Sequence, residues 1–179
     1  FNIKWHFLYY HHFPRIISTV FDIFNGLRLL FFLIYKKRIF LIHSRSYIAS
    51  FMVMIISLFF QFKLIFDMRG FWIDEKSDRN GLSRRSLTYK FFKKVEKFLI
   101  LRSDAIITLT HQSKKIITDN FSNLINKKIY VIPTCADEQF FKPSNYKRKN
   151  NKDIIFGYIG SIDTAYNIEK IIATFSLII

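Results

Sequence analysis

The chain has 179 residues, half of them hydrophobic and 22 of them phenylalanine, so it is long enough for a domain-sized core and too apolar to be disordered or fibrous. Its 28 Lys and Arg against 13 Asp and Glu leave a net charge of +15, which calls for an anionic partner or surface, or serves solubility alone. A single cysteine, Cys135, excludes an internal disulfide and a cysteine zinc cluster, and it fits a reducing cytoplasm.

In chain order, the N-terminal stretch reads as the interior of a domain. Phe1 is not an initiator methionine, and no small-residue cleavage site follows Lys4 and His6. His11 and His12 are adjacent with no ligand set nearby, so no metal site is expected there. Two apolar stretches follow. Ile16 to Tyr35 carries Asp22, Asn25, Gly26 and Arg28, and the 14 residues from Tyr47 to Phe60 are broken by Ser50 and Ser57. A membrane span needs ~20 apolar residues, so both are expected to be helices packed on a sheet.

Short apolar runs mark the strands: Ile39–Ile42, Leu64–Phe66, Ala105–Leu109, Ile129–Ile132 and Ile154–Ile159. Each is apolar throughout, the pattern of strands covered on both faces. Between them lie helical patterns at Ser46–Phe60, at Ser83–Leu101 with Leu87, Phe91, Val95 and Phe98 on one stripe, and at Thr110–Phe121 with Ile116 and Ile117 inward. Alternating strands and helices predict an α/β fold, a Rossmann-like parallel sheet with flanking helices and right-handed crossovers.

From Asp137 to Asp153 the texture turns to Pro, Ser, Asn, Lys and Arg, which reads as a linker. After it come one strand, a Gly-Ser turn and a helix to Ile179. One strand and one helix cannot bury themselves. The expected organisation is therefore an N-terminal domain over 1–137, missing its first elements, a linker over 138–152, and over 153–179 the first β-α unit of a second Rossmann-like domain.

The basic residues come as scattered short runs, such as Lys36 to Arg38, Lys93-Lys94 and Lys147 to Lys149, with no nucleic-acid-binding motif. Nucleic acid is thus not an expected partner, whereas peripheral contact with an anionic membrane is. The ends of successive parallel strands bring His43 to Arg45, Asp67 to Gly70, Thr108 and Thr110, and Pro133 to Asp137 to one sheet edge, where ligands of such folds bind.

Three segments carry a resemblance: Phe66 to Glu75, in which a strand runs into Met68-Arg69-Gly70-Phe71-Trp72-Ile73-Asp74-Glu75; Ile132 to Asp137 followed by Phe140 to Pro143; and Gly157-Tyr158-Ile159-Gly160-Ser161. In this order and at these separations the chain resembles the GT-B glycosyltransferases of the retaining group 1 (family 4) type. The resemblance implies transfer of a sugar from a nucleotide-diphosphate donor, with no cofactor and no metal site. The acceptor would be a carbohydrate or a lipid-linked one, in cell-surface polysaccharide or glycolipid synthesis. The lone cysteine and the basic charge place the protein in the cytoplasm, peripheral on the inner face of the cell membrane.

On the matching positions, Arg69 and Glu75 are the catalytic candidates. A guanidinium binds phosphate oxygens as a fork and stabilises a departing diphosphate; the competing reading is an ion pair of Arg69 with Asp67, Asp74 or Glu75. Asp74 and Glu75, adjacent on an extended loop, would point apart, one of them to the acceptor or both as caps of the next helix. His43, Arg45 and Asp74 are acceptor-side candidates, His43 with a structural reading beside it. Gly160 and Ser161 match the loop over the donor diphosphate, although Asp163 stands where relatives often carry glycine and Ala165 where a branch carries tryptophan. The donor-binding glutamates of the family have no counterpart in these residues, so the chain as it stands would be inactive alone. The competing class is a non-catalytic Rossmann-like module that docks on anionic membrane or nucleic acid.

Overall fold

The computed structural model describes residues 3–121, 127–142, 157–160 and 167–177. Its elements run α1 (Arg15–Lys37), β1 (Leu41–Arg45), α2 (Tyr47–Ile56), β2 (Lys63–Met68), α3 (Trp72–Asn80), α4 (Leu87–Arg102), β3 (Ala105–Thr108), α5 (His111–Asn120), β4 (Lys128–Val131) and α6 (Ile168–Ser176). The protein is α/β, with helices flanking a four-stranded parallel sheet of order β1-β2-β3-β4.

The sheet forms where β-rich apolar runs alternate with helices long enough for parallel crossovers. Phe66 pairs in register with Ser44 and with Ile106, and Ile106 with Ile129, so these residues share one face. That face joins Met54 of α2, Leu99 and Ile100 of α4 and Ile117 of α5 in one buried cluster with Phe66, Met68, Ile106 and Ile129. Burial of such side chains contributes roughly 1.5–3 kcal/mol each before chain entropy is set against it.

Several expectations are corrected. Among the described residues the strands are not covered on both faces. An order that never reverses sends every right-handed crossover to the same side, and on the other face Leu41 and Tyr130 stay about half exposed. β1 starts at Leu41 and runs through Arg45, so His43 lies within the strand rather than closing it. Of the expected stripe on α4, Leu87, Phe91 and Phe98 point outward while Val95 packs against the core; Glu96, Leu99 and Ile100 are buried. The physical reason is that the Glu96 carboxylate finds partners on α2 and α4, so a charged residue can take the inward place.

α1 does not pack on the sheet. It lies along α2, with Gly26 against Met52 and Phe31 edge-on to Phe59 and Phe60. Ile16–Lys37 is long and apolar enough to cross a membrane by length and composition, and only 11% of that stretch is buried.

Helix ends follow local chemistry. Ser86 and Thr110 cap α4 and α5 by accepting from the amides of Tyr89 and Ser113. Lys127 donates to the carbonyls of Ile100 and Leu101 at the end of α4, at 2.5 and 2.7 Å. Gly81 ends α3 at φ 63°, a conformation that favours glycine.

Of the linker and second unit, only 138–142, 157–160 and 167–177 are described. Residues 154–156 of the expected fifth strand lie outside the described residues, and 157–160 are not strand. α6 buries none of its residues.

Candidate functional site

Because all four strands are parallel, their C-terminal ends share one edge. There the β1–α2 connection is a single residue, Ser46, whose amide donates to the Asp67 carbonyl at 3.0 Å. Ser46 adopts φ 72° and ψ 171°, a combination that L side chains rarely hold and that costs on the order of 1–3 kcal/mol. Its side chain makes no capping hydrogen bond, leaving an exposed hydroxyl at the start of α2. Composition alone does not show this residue; the one-residue junction between an apolar strand and an apolar helix was the available signal.

The β2–α3 loop holds Arg69 and Gly70. Arg69 is exposed and, among the described residues, makes no hydrogen bond or ion pair. The alternative of a structural pair with Asp67, Asp74 or Glu75 is therefore not what the structure contains. Asp67 faces His43 instead, at 3.3 Å from its Nε2.

Asp74 and Glu75 are not on an extended loop. They occupy the first turn of α3, where negative charge complements the helix dipole. Neither is the cap, since the N-cap position is Phe71 and has no side-chain hydrogen bond. Glu75 is exposed and folds back so that its carboxylate lies over Gly70, where a Cβ would collide with it.

Asp74 is committed elsewhere. It accepts from the Tyr89 hydroxyl and, at 2.9 Å, from Lys93 Nζ, while Lys93 also reaches Glu96. Tyr47 lies 2.8 Å from both the Glu96 carboxylate and the Gly70 carbonyl. Burial opposes the charge on Asp74, but the hydrogen bonds from Tyr89 and Lys93 outweigh it and hold the carboxyl below its ordinary value. Burial likewise opposes the Lys93 charge and is outweighed by Glu96 and Asp74, so its pKa is raised. Burial, then the Glu96 charge, pushes the Tyr47 phenol far up. This network, invisible as a motif because its members are spread from Tyr47 to Glu96, anchors the Arg69 loop to α4.

Of the remaining candidates, Arg45 is exposed at the end of β1, and Thr108 is fully buried, so it does not face the edge. Pro133 to Asp137 follow β4 as an exposed segment, with Cys135 free. Gly160 is exposed, and Ser161 lies outside the described residues. Among the described residues no group of three or more His, Cys, Asp or Glu is placed to hold a metal ion. A cavity of about 240 Å³ opens beside the loop, lined by Trp72, Glu75, Lys76 and Arg79. Another of about 550 Å³, lined by Phe40, Lys63, Leu64, Arg102 and Asp104, lies at the opposite, N-terminal ends of the strands, away from this chemistry.

The fold and site together define an α/β protein with a parallel sheet, compatible with a Rossmann-like domain, that presents an unpaired arginine and a strained serine at its C-terminal edge. No family model matches the chain, and no match among curated proteins was found.

Proposed function

We propose that the chain is the acceptor-side domain, with the start of a second Rossmann-like domain, of a retaining GT-B-type glycosyltransferase. The reading rests on the resemblance of the three segments. The observation that carries it is Arg69: it stands at the C-terminal end of a central parallel strand with no partner among the described residues, while the nearby Asp74 is held by Tyr89 and Lys93. A guanidinium kept free of carboxylates is available for phosphate oxygens.

In this reading Arg69 stabilises charge on the departing nucleoside diphosphate, and Glu75, exposed above Gly70, orients the acceptor hydroxyl. Asp74 then acts as a positioning residue rather than as an acceptor ligand. The donor is a nucleotide sugar, the acceptor a carbohydrate or lipid-linked carbohydrate, and the setting the cytoplasmic side of a membrane. A donor half beyond Gly160 completes the site.

The direct test is incubation of the complete enzyme, donor half included, with a panel of radiolabelled nucleotide sugars and a lipid extract as acceptor source. Transfer of label into a lipid or polymer fraction, abolished in Arg69→Ala, supports the reading. Absence of both binding and turnover for every nucleotide sugar tested overturns it. The alternative, a membrane-docking module without catalysis, is favoured by one observation, the exposed apolar face of α1.

A further inference from the structure

α1 is apolar on more than the side that meets the rest of the fold. On its inward side Ser18 and Ile34 are buried, and Gly26 sits against Met52. Outward it presents Ile17, Val20, Phe24, Phe32 and Tyr35, each more than half exposed. A surface helix of a water-soluble protein keeps charged and polar residues on the face away from its core; here that face carries large apolar residues around the exposed Arg28.

Two further features surround this face. The segment before α1 is tied to it by His11, whose amide and Nδ1 meet the Asp22 carboxylate at 2.9 and 2.6 Å. It holds out Trp5, Tyr9 and Phe13, which are 81%, 84% and 90% exposed. Such side chains are suited to the boundary between headgroups and acyl chains. At the other end stand Lys36 and Lys37 in the last turn, then Arg38, with Lys36 over the Phe32 ring. A net charge of +15 on the chain complements an anionic surface.

We infer that α1 and the aromatic segment before it form a membrane anchor that lies in the plane of an anionic bilayer, with the Ile17, Val20 and Phe24 face among the acyl chains. The helix does not span. Gly26 packs on Met52 of α2 and Phe31 on Phe59 and Phe60 just after it, and α2 in turn packs on β1 and β2; threading α1 across a bilayer would strip it from those partners. In-plane docking keeps those contacts and needs only one face. The inference deepens the membrane-contact part of the proposed function and holds whether or not the chain transfers sugars.

Flotation with phosphatidylcholine vesicles, with and without phosphatidylglycerol, tests it. The chain should bind the anionic vesicles, and the triple variant Ile17→Ser/Val20→Ser/Phe24→Ser should lose about tenfold or more in partitioning, as expected for removing buried apolar area. Its melting temperature and circular dichroism should stay those of the parent, because these side chains face outward. Lys36→Gln/Lys37→Gln/Arg38→Gln should lose the preference for anionic over neutral vesicles. Brominated-lipid quenching of single tryptophans placed by Ile17→Trp, Phe24→Trp or Tyr35→Trp, in a Trp5→Phe/Trp72→Phe background, should report one shallow depth. Unchanged binding of the apolar triple variant overturns the inference while sparing purely electrostatic membrane contact. Absence of all vesicle binding overturns both. A deep Phe24→Trp between shallow ends overturns it in favour of a span, and self-association through α1 in place of vesicle binding overturns it in favour of a second copy.

Discussion

Tyr47 and Glu96 meet across the interior at 2.8 Å, phenol to carboxylate, and so tie the start of α2 to the middle of α4. The same phenol oxygen lies 2.8 Å from the Gly70 carbonyl and thereby fixes the loop that carries Arg69. Tyr47→Phe would remove the one hydroxyl hydrogen that the buried carboxylate and that carbonyl share. A loss of about 1–3 kcal/mol is expected for such a deletion. Thermal denaturation should show a melting temperature lower by several degrees, at about 2–4 °C per kcal/mol for a chain of this size. An unchanged melting temperature would mean that the contact does not hold the loop.

Acid should weaken the same network through Asp74. Its folded pKa is lowered because hydrogen bonds from Tyr89 and Lys93 outweigh burial. A lowered folded value contributes stability that is present above the unfolded value, near about 4, and is lost as the pH falls from there through the folded value. Melting curves recorded from about pH 7 to about pH 2 should decline in that lower range. Asp74→Asn should begin less stable and decline less. Asp104 is also lowered, its burial outweighed by the Leu64 amide and Lys63, so part of the slope should remain in the variant.

Ser46→Gly separates strain from function. Glycine adopts the φ of 72° found at Ser46 without the clash a Cβ meets there. The relief, on the order of 1–3 kcal/mol, exceeds the roughly 0.5–1 kcal/mol of chain entropy that glycine adds. The melting temperature should rise. Where the strained serine serves ligand binding, nucleotide-sugar affinity of the complete enzyme should fall, measured by calorimetry; an unchanged affinity would leave Ser46 without a functional role.

Arg69→Ala should leave the melting temperature unchanged, because the side chain has no partner to lose among the described residues. In the complete enzyme kcat should fall by about 10²–10³, the usual effect of removing one group that stabilises developing charge. Arg69→Lys should recover only part of it, since a point charge does not replace a planar fork. Turnover and melting measured on the same samples decide the matter, and a fully active Arg69→Ala would remove arginine from the mechanism.

Much of the architecture was legible along the chain. The apolar runs at Leu64, Ala105 and Ile129, spaced by helical patterns, determine a parallel α/β order by local propensity and by crossover length alone. Those same runs also put Asp67 to Gly70 and Ile132 to Asp137 on a shared edge, because parallel strands end on the same side. What the linear pattern could not supply was the direction in which each apolar stripe points. Tertiary packing turned the Leu87, Phe91 and Phe98 stripe outward and Glu96 inward, since only in space do Tyr47 and Lys93 converge on that carboxylate. It left Arg69 unpaired by giving Asp74 to Lys93 and setting Asp67 beside His43. It placed α1 on α2 with Phe24 and Phe32 outward and Gly26 against Met52. Periodicity reports that a helix has an apolar side; which surroundings that side meets is decided by the shapes and charges of partners distant in the chain.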